Sequence, residues 1–171
     1  MKQLAAALLA MAMLFGLLKL FQRWELSENA LDVGTPVAVF QLPDAQGKPF
    51  SLPTRGRTTL INYWASWCGP CLEEMPILRE FARRNGANGT QLVGIALEDE
   101  RSSRIWLQAN PQPFPTLFEP PSATDSSVRL GNAKGILPFS VLVGPDGRVL
   151  ATRTGAFKGQ ADLEGWIAAA R

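Results

Sequence analysis

Two cysteines, Cys68 and Cys71, are the residues of this chain whose type and spacing favour chemistry over packing. They are separated by Gly69 and Pro70, and the 171-residue sequence contains no other cysteine. Two thiols at this spacing at the start of a helix can close a small ring, and the helix N-terminus stabilises a thiolate at the first of them. The spacing therefore predicts a redox-active pair, with Cys68 as the exposed nucleophile and Cys71, one turn deeper, as the resolving thiol.

The rest of the composition argues against other uses of this spacing. A structural zinc site needs four ligands, and the chain has neither a third cysteine nor a histidine. Covalent haem attachment needs a histidine directly after the second cysteine, where Leu72 stands. A purely structural disulfide is the remaining alternative, although so small a loop constrains the unfolded chain little. We expect thiol exchange without a cofactor or a resident metal.

The charge of the chain is nearly balanced. There are 17 Lys and Arg against 15 Asp and Glu, a formal net charge of +2, and the two signs are interleaved. This pattern is typical of a solvated mixed surface and gives no indication of nucleic-acid binding. The absence of histidine also removes any Ser-His or Cys-His catalytic pair.

The N-terminal segment predicts a membrane anchor. Residues 4–21 are apolar except for Lys19, and a helix of that length rises about 27 Å, close to the roughly 30 Å of a hydrocarbon core. The alternative is a cleaved signal peptide, for which Ala10-Met11-Ala12 offers a small-x-small pattern. We expect an uncleaved anchor, although the positive-inside rule barely decides the orientation.

A strand and a helix must position the cysteine pair. Residues 58–64 are a nearly continuous apolar, β-rich run, which is typical of a strand buried on both faces of a mainly parallel sheet. Residues 68–85 carry apolar side chains at helical spacing, and Asn85-Gly86 should end that helix. The cysteines are therefore expected just past the carboxyl end of a central strand, in the first turn of the helix that follows.

The remaining pattern predicts the layers around this unit. Further strands are predicted over 91–97, 114–118, 139–143 and 148–152, further helices over 99–109, 126–130 and 161–170, and an N-terminal hairpin over 37–42 and 49–52. This order predicts an α/β fold with a central mixed β-sheet covered by helices. The boundaries are an anchor over 1–24, a linker over 25–32 and one domain over 33–171.

The run Trp67-Cys68-Gly69-Pro70-Cys71 resembles the signature of the thioredoxin superfamily. Gly34-Thr35-Pro36, the segment 47–52 and Glu74-Met75-Pro76 resemble its TlpA/ResA/DsbE-like branch. The resemblance covers roughly residues 33–171. It implies a thioredoxin-like fold with an N-terminal β-hairpin extension and an N-terminal transmembrane helix.

The resemblance also implies a proton carrier. Thioredoxins place a buried aspartate in the strand before the motif, and the matching residue here is Asn62, which cannot carry a proton. The branch is similar to this chain in having a glutamate three residues after the second cysteine, here Glu74. Helical spacing puts Glu74 roughly on the face of Cys71, where a partly buried carboxylate would manage its proton. The alternative is a surface glutamate favoured by the helix dipole.

Further substrate-site residues follow from the same resemblance. The matching proline of thioredoxin-like proteins, here Pro138, forms a cis bond and packs against the disulfide. The backbone of the preceding residue, Leu137, is expected to pair with a bound substrate strand. Trp67, with Gly69 and Pro70, is expected to shape the substrate surface.

The function implied is a membrane-anchored thiol-disulfide oxidoreductase that reduces disulfides of specific exported proteins, in some relatives for cytochrome c maturation or metal-site assembly. The resemblance implies a bacterial inner membrane, with a single N-terminal pass and the catalytic domain in the periplasm. A membrane-embedded thiol donor would supply its electrons. The alternatives are a thiol oxidase in an oxidising compartment and a copper chaperone that uses Cys68, Cys71 and Met75. A peroxidase on this fold would want threonine or serine where Ala65 stands.

Overall fold

The computed structural model describes residues 31–85 and 89–170, together with Met11, Met13, Phe15 and Gly16. Apart from those four residues, the predicted anchor lies outside the described residues, as does most of the predicted linker. Among the residues described, none of the helices combines the length and the apolar character that a membrane crossing requires. The chain divides into two units, Met1–Ala30 and Leu31–Arg171, and the fold described below is that of the second.

The predicted succession of elements is present in this unit. The strands are β1 (Phe40–Pro43), β2 (Pro49–Leu52), β3 (Thr59–Trp64), β4 (Gln91–Leu97), β5 (Thr116–Glu119), β6 (Phe139–Val143) and β7 (Val149–Thr154), and the helices are α1 (Gly69–Asn85), α2 (Glu100–Ala109), α3 (Ser126–Arg129) and α4 (Gln160–Ala169). The ends differ from the predicted ones by a few residues. One difference concerns the site, because α1 begins at Gly69 and leaves Cys68 just before its first turn.

The central sheet is mixed, with β3 in the middle. Its strand order is β5-β4-β3-β6-β7. β3 and β5 run parallel to β4, whereas β6 is antiparallel to both β3 and β7. The predicted mixed sheet with helices is thus confirmed, and β1 and β2 form the predicted antiparallel hairpin as a separate two-stranded sheet.

Burial of β3 on both faces explains its unbroken apolar sequence. All its residues are buried, and successive side chains point to opposite faces of the sheet. Leu60 and Trp64 join the hydrophobic cluster that contains Cys68 and Cys71. The alternate residues of the strand, such as Ile61 and Tyr63, join a second cluster on the other face. The cysteine pair is therefore attached directly to a core strand.

Helix α1 packs on the first of these faces. Met75, Leu78 and Phe81 recur at helical spacing and lie in the same cluster as the cysteines. Arg83 and Arg84 lie in its last turn, where positive charge favours the helix dipole. The packing of this helix fixes the position of its N-terminus, and with it the position of the disulfide.

The turn between β6 and β7 depends on one glycine. Gly147 has a φ of 81°, its N–H donates to the Gly144 carbonyl at 2.9 Å, and its own carbonyl accepts from the Val37 N–H at 2.9 Å. This backbone conformation favours glycine because a Cβ crowds the following carbonyl.

We expect Gly147→Ala to lower the free energy of unfolding by roughly 1–2 kcal/mol, the ordinary cost of a left-handed residue with a Cβ. Gly159→Ala is the matched control, because Gly159 has an extended φ of 169° and open space around its Cα. Denaturant unfolding of both variants tests this prediction. Equal losses of stability would show that the left-handed conformation is not what requires Gly147.

Candidate active site

Cys68 and Cys71 form a disulfide with their Cα atoms 5.3 Å apart. Cys71 is fully buried, and Cys68 keeps 5% of its surface accessible. Gly69 and Pro70 between them are exposed. Cys68 is thus the more accessible of the two residues, but in the oxidised protein it is buried, whereas the sequence pattern predicts an exposed residue.

Cys68 occupies the cap position of α1. Its carbonyl accepts the first helical hydrogen bond, from the Leu72 N–H at 3.1 Å, and its Sγ accepts from the Cys71 N–H at 3.3 Å. Unpaired N–H groups at a helix start stabilise negative charge. The same amide is placed to stabilise a Cys68 thiolate in the reduced protein, which is the state that attacks a disulfide.

Glu74 lies one helical turn beyond Cys71, and its side chain is completely buried. Its two carboxylate oxygens have different partners. Oε1 accepts from Asn62 Nδ2 at 2.8 Å, and Oε2 accepts from the backbone N–H of Phe157 at 2.8 Å. The alternative of a surface glutamate is therefore wrong, because β3 and the loop after β7 enclose this carboxyl group.

Burial raises the pKa of Glu74 to about 7, although hydrogen bonds from Phe157 and Asn62 and the charge of Arg153 act in the opposite direction. Desolvation dominates because an ionised carboxylate loses more solvation than two hydrogen bonds restore. A group with this pKa releases and takes up protons near neutral pH. The chain has no histidine that would do so with its ordinary pKa.

Asn62 is suited to both protonation states of Glu74. Its amide nitrogen donates to Glu74 and, at 3.1 Å, to Ser140 Oγ. Its carbonyl oxygen Oδ1 is buried and has no partner. Rotation of the side-chain amide by about 180° would direct this oxygen toward a protonated Glu74. Asn62 can therefore donate a hydrogen bond to the Glu74 carboxylate and accept one from the protonated carboxyl group. An aspartate at this position would instead oppose ionisation of Glu74 through its like charge.

Leu137 and Pro138 lie beside the end of β3 that leads to the cysteines. Phe139 at the start of β6 pairs with Tyr63 near the end of β3, so the two preceding residues lie next to the strand's carboxyl end. The Leu137–Pro138 peptide bond is cis, as the resemblance implies. Leu137 packs against the cluster that contains both cysteines.

A groove of about 750 Å³ is lined by Trp67 and Leu137, together with Pro121, Ala123 and Val128. Trp67 is 71% exposed, so its indole is available to a binding partner. Two of the residues predicted to contact substrate, Trp67 and Leu137, thus line the same groove.

Glu98, at the end of β4, is a site residue that the sequence reasoning missed. It is 5% exposed and accepts hydrogen bonds from Ser66 N–H and Ser66 Oγ, both at 2.8 Å, and from Ser103 Oγ at 3.0 Å. Ser66 precedes Trp67 in the loop between β3 and α1. Glu98 therefore ties that loop to α2 and also lines the groove. The signal was weak, since one acidic residue after a strand is common.

Metal-binding side chains do not gather at the site. Within residues 31–85 and 89–170, no three Cys, His, Asp or Glu side chains are arranged to hold an ion. The groups that the site offers for chemistry are two sulphurs, one buried carboxyl group and the N–H groups of a helix start.

A mixed sheet with this strand order and a Cys-Gly-Pro-Cys disulfide after its central strand defines a thioredoxin-like thiol-disulfide oxidoreductase. The chain belongs to the AhpC/TSA family, whose model matches residues 33–152. Among solved structures it is similar to a putative thiol:disulfide interchange protein DsbE from Chlorobium tepidum, with 30% identity and a TM-score of 0.70 over 82% of this chain and 99% of that one.

Similarity extends to two proteins of Bacillus subtilis. Sporulation thiol-disulfide oxidoreductase A is 28% identical over 135 residues, which are 75% of this chain and 78% of that protein. The crystal structure of StoA from the same organism is 26% identical with a TM-score of 0.61, over 78% of this chain and 98% of that one. Together with the fold, these relatives confirm the resemblance drawn from the motif.

Glu74 should make the stability of the oxidised protein fall as the pH rises. The folded protein holds a proton on Glu74 up to about pH 7, whereas the unfolded chain releases it near the ordinary glutamate pKa. The stabilisation is fully present below that ordinary value and is lost as the pH rises through the folded value. Between about pH 5 and pH 8 we expect a loss of roughly 2–4 kcal/mol.

Glu74→Gln is expected to remove most of this slope, whatever constant cost the substitution adds at all pH values. Denaturant unfolding at intervals of pH measures it. An equally steep slope in the variant would mean that another group takes up the proton.

Glu98→Ala should destabilise the protein by about 1–3 kcal/mol, because it removes the acceptor of the part-buried Ser66 N–H and Oγ and one of the two acceptors of the buried Ser103 Oγ. Glu98→Gln keeps one oxygen at the same place and is expected to cost less. Denaturant unfolding, combined with solute quenching of Trp67 fluorescence relative to a Trp67→Phe variant, measures both effects. Stability within about 0.5 kcal/mol of the parent for Glu98→Ala would show that Glu98 does not hold the loop.

Proposed function

We propose that this protein is a membrane-anchored reductase of protein disulfides, with its catalytic unit in the periplasm of a bacterium and residues 1–24 as the anchor. The observation that carries the chemical part is the Cys68–Cys71 disulfide at the start of α1 with the buried Glu74 one turn away. The apolar run over residues 4–21 supports the anchor.

The reaction begins with the reduced pair. The Cys68 thiolate attacks one sulphur of a client disulfide, which forms a mixed disulfide and releases the other client sulphur as a thiolate that takes a proton. Cys71 then loses its proton and attacks Cys68, and the second client sulphur leaves. Two electrons pass to the client, and the Cys68–Cys71 disulfide is formed.

Glu74 is proposed to accept the proton that Cys71 loses. Its pKa of about 7 allows it to hold a proton in one step and release it in another at neutral pH. Its place one turn from Cys71 supports this role. The protein would return to the reduced state by exchange with a membrane-embedded thiol donor, which has the same chemistry in the reverse direction.

Clients are proposed to be exported proteins that carry a disulfide in an extended segment, including apoproteins in cytochrome c maturation or metal-site assembly. The groove lined by Trp67 and Leu137 supports this choice, because Trp67 directly precedes Cys68 in the chain. Pro138 would hold Leu137 in place to pair with the client backbone.

The second candidate is a thiol oxidase that works from the oxidised pair. The Gly69-Pro70 sequence, which resembles that of reducing thioredoxins, favours reduction. Mixing the reduced protein with a disulfide client, and the oxidised protein with a dithiol client, separates the two directions. A copper chaperone would instead bind Cu(I) stoichiometrically in the reduced form and turn over neither client.

Cys71→Ser should trap clients as mixed disulfides on Cys68, because the substitution removes the sulphur that resolves the intermediate. Non-reducing electrophoresis of membranes from cells that express the variant should show adducts that disappear on reduction. Cys68→Ser is the matched control and should form far fewer adducts, since Cys71 is fully buried.

Equal adducts from both variants would contradict the assignment of Cys68 as nucleophile. The absence of adducts from Cys71→Ser, with the variant folded and present in the membrane, would count against disulfide exchange with clients.

A further inference from the structure

The position of the Glu74 carboxylate depends on the loop that follows β7. The backbone N–H of Phe157 in this loop donates to Glu74 Oε2, and the Phe157 ring lies in the cluster that contains both cysteines. Any movement of the loop would therefore change the hydrogen bonding of Glu74. The residues that hold this loop in place therefore also maintain the hydrogen bond from Phe157 to Glu74.

Arg153 and Asp162 hold the loop from its two ends. Arg153, on β7, makes a forked contact with Asp162 on α4, with N–O distances of 2.9 and 2.8 Å. Arg153 also donates to the Ala156 carbonyl at 3.3 Å, and its guanidinium lies 4.5 Å from the centroid of the Phe157 ring. Asp162 further accepts from the Lys158 N–H at 2.8 Å.

Arg153 also acts on Glu74 through charge. The side chains of Arg153 and Asp162 are only 23% and 33% exposed, so solvent screens Arg153 less than it screens a free surface charge. The positive charge of Arg153 lowers the pKa of Glu74, against the larger raising effect of burial. Asp162 offsets that positive charge with a negative one.

The other groups that face Glu74 are neutral. β3 contributes the Asn62 amide, which also bonds to Ser140 of β6, and the loop contributes the Phe157 N–H. Cys71 on α1 is held in the disulfide. Among the residues that the structure describes, Arg153 is thus the charge that acts on this carboxyl group, and Asp162 is its ion-pair partner.

We propose that Arg153 and Asp162 are a positioning pair for Glu74, in which Arg153 favours its carboxylate form and Asp162 limits that effect. The pair would set the pH at which the resolving step runs fastest, and this consequence rests on the proposed role of Glu74 in exchange. The placement of the charges does not depend on which client is reduced or in which direction electrons flow.

Removal of either partner should shift the titration of Glu74, in opposite directions. Arg153→Gln removes the positive charge and should raise the midpoint, while Asp162→Asn leaves Arg153 without its counter-charge and should lower it. We expect shifts of about half a pH unit, or roughly threefold in the ratio of carboxylate to acid at neutral pH. Carbon NMR of glutamate-labelled, oxidised full-length protein in mild detergent measures them, with Glu74→Gln to assign the signal.

Arg104→Gln is a closely matched control. Arg104 also pairs with a carboxylate, Glu100, at 2.6 Å, donates to a carbonyl, that of Ala45, at 2.7 Å, and lies over a ring, that of Phe118, at 4.7 Å. Its loss should leave the Glu74 midpoint unchanged. Arg153→Lys keeps the positive charge but cannot make the two-point contact with Asp162. Its Glu74 titration midpoint should stay close to that of the parent protein.

Shifts in the same direction, or no shift in folded Arg153→Gln and Asp162→Asn proteins, would overturn the proposal and leave the pair a purely structural link. Should Arg153→Gln fail to fold, Asp162→Asn alone decides by the sign of its shift. Disulfide exchange is measured separately on the same samples. Opposite shifts without exchange would therefore contradict the proposed function while leaving the control of Glu74 intact.

Discussion

The burial of one carboxyl group beside a disulfide is the constraint on which much of this structure depends. Glu74 and Cys71 are both fully buried on the same helix, and an ionised carboxylate is costly there unless it has partners. β3 provides an amide, the loop after β7 provides an N–H, and β7 provides a positive charge at its end. Three separate elements of the fold thus converge on a single side chain.

The sequence alone predicts the scaffold well, because the scaffold depends on local patterns. The unbroken apolar run of β3 and the helical spacing in α1 are properties of neighbouring residues, and both elements are found where they were predicted. The motif predicts the cysteine pair, and the resemblance adds Glu74. The full burial of Glu74 was not predictable, because helical periodicity places a residue on a face without showing what covers it.

The partners of the site residues were missed for the same reason. Phe157 meets Glu74 across 83 positions of sequence, and Glu98 meets Ser66 across 32. Neither contact leaves a pattern in the surrounding residues, since a phenylalanine in a loop and a glutamate after a strand are both common. Such contacts are set by the strand order, which brings distant loops to one end of the sheet.

The N-terminal hairpin and the residues just before it contact both edge strands of the central sheet, β5 and β7. Residues before β1 pair with Arg148 and with Val149, the first residue of β7, and Asp44 forms a bridge with Leu117 of β5. An exposed edge strand has unpaired backbone N–H and C=O groups, which can pair with another extended chain and lead to aggregation. By occupying part of both edges with its own backbone, this protein disfavours the addition of a foreign strand there.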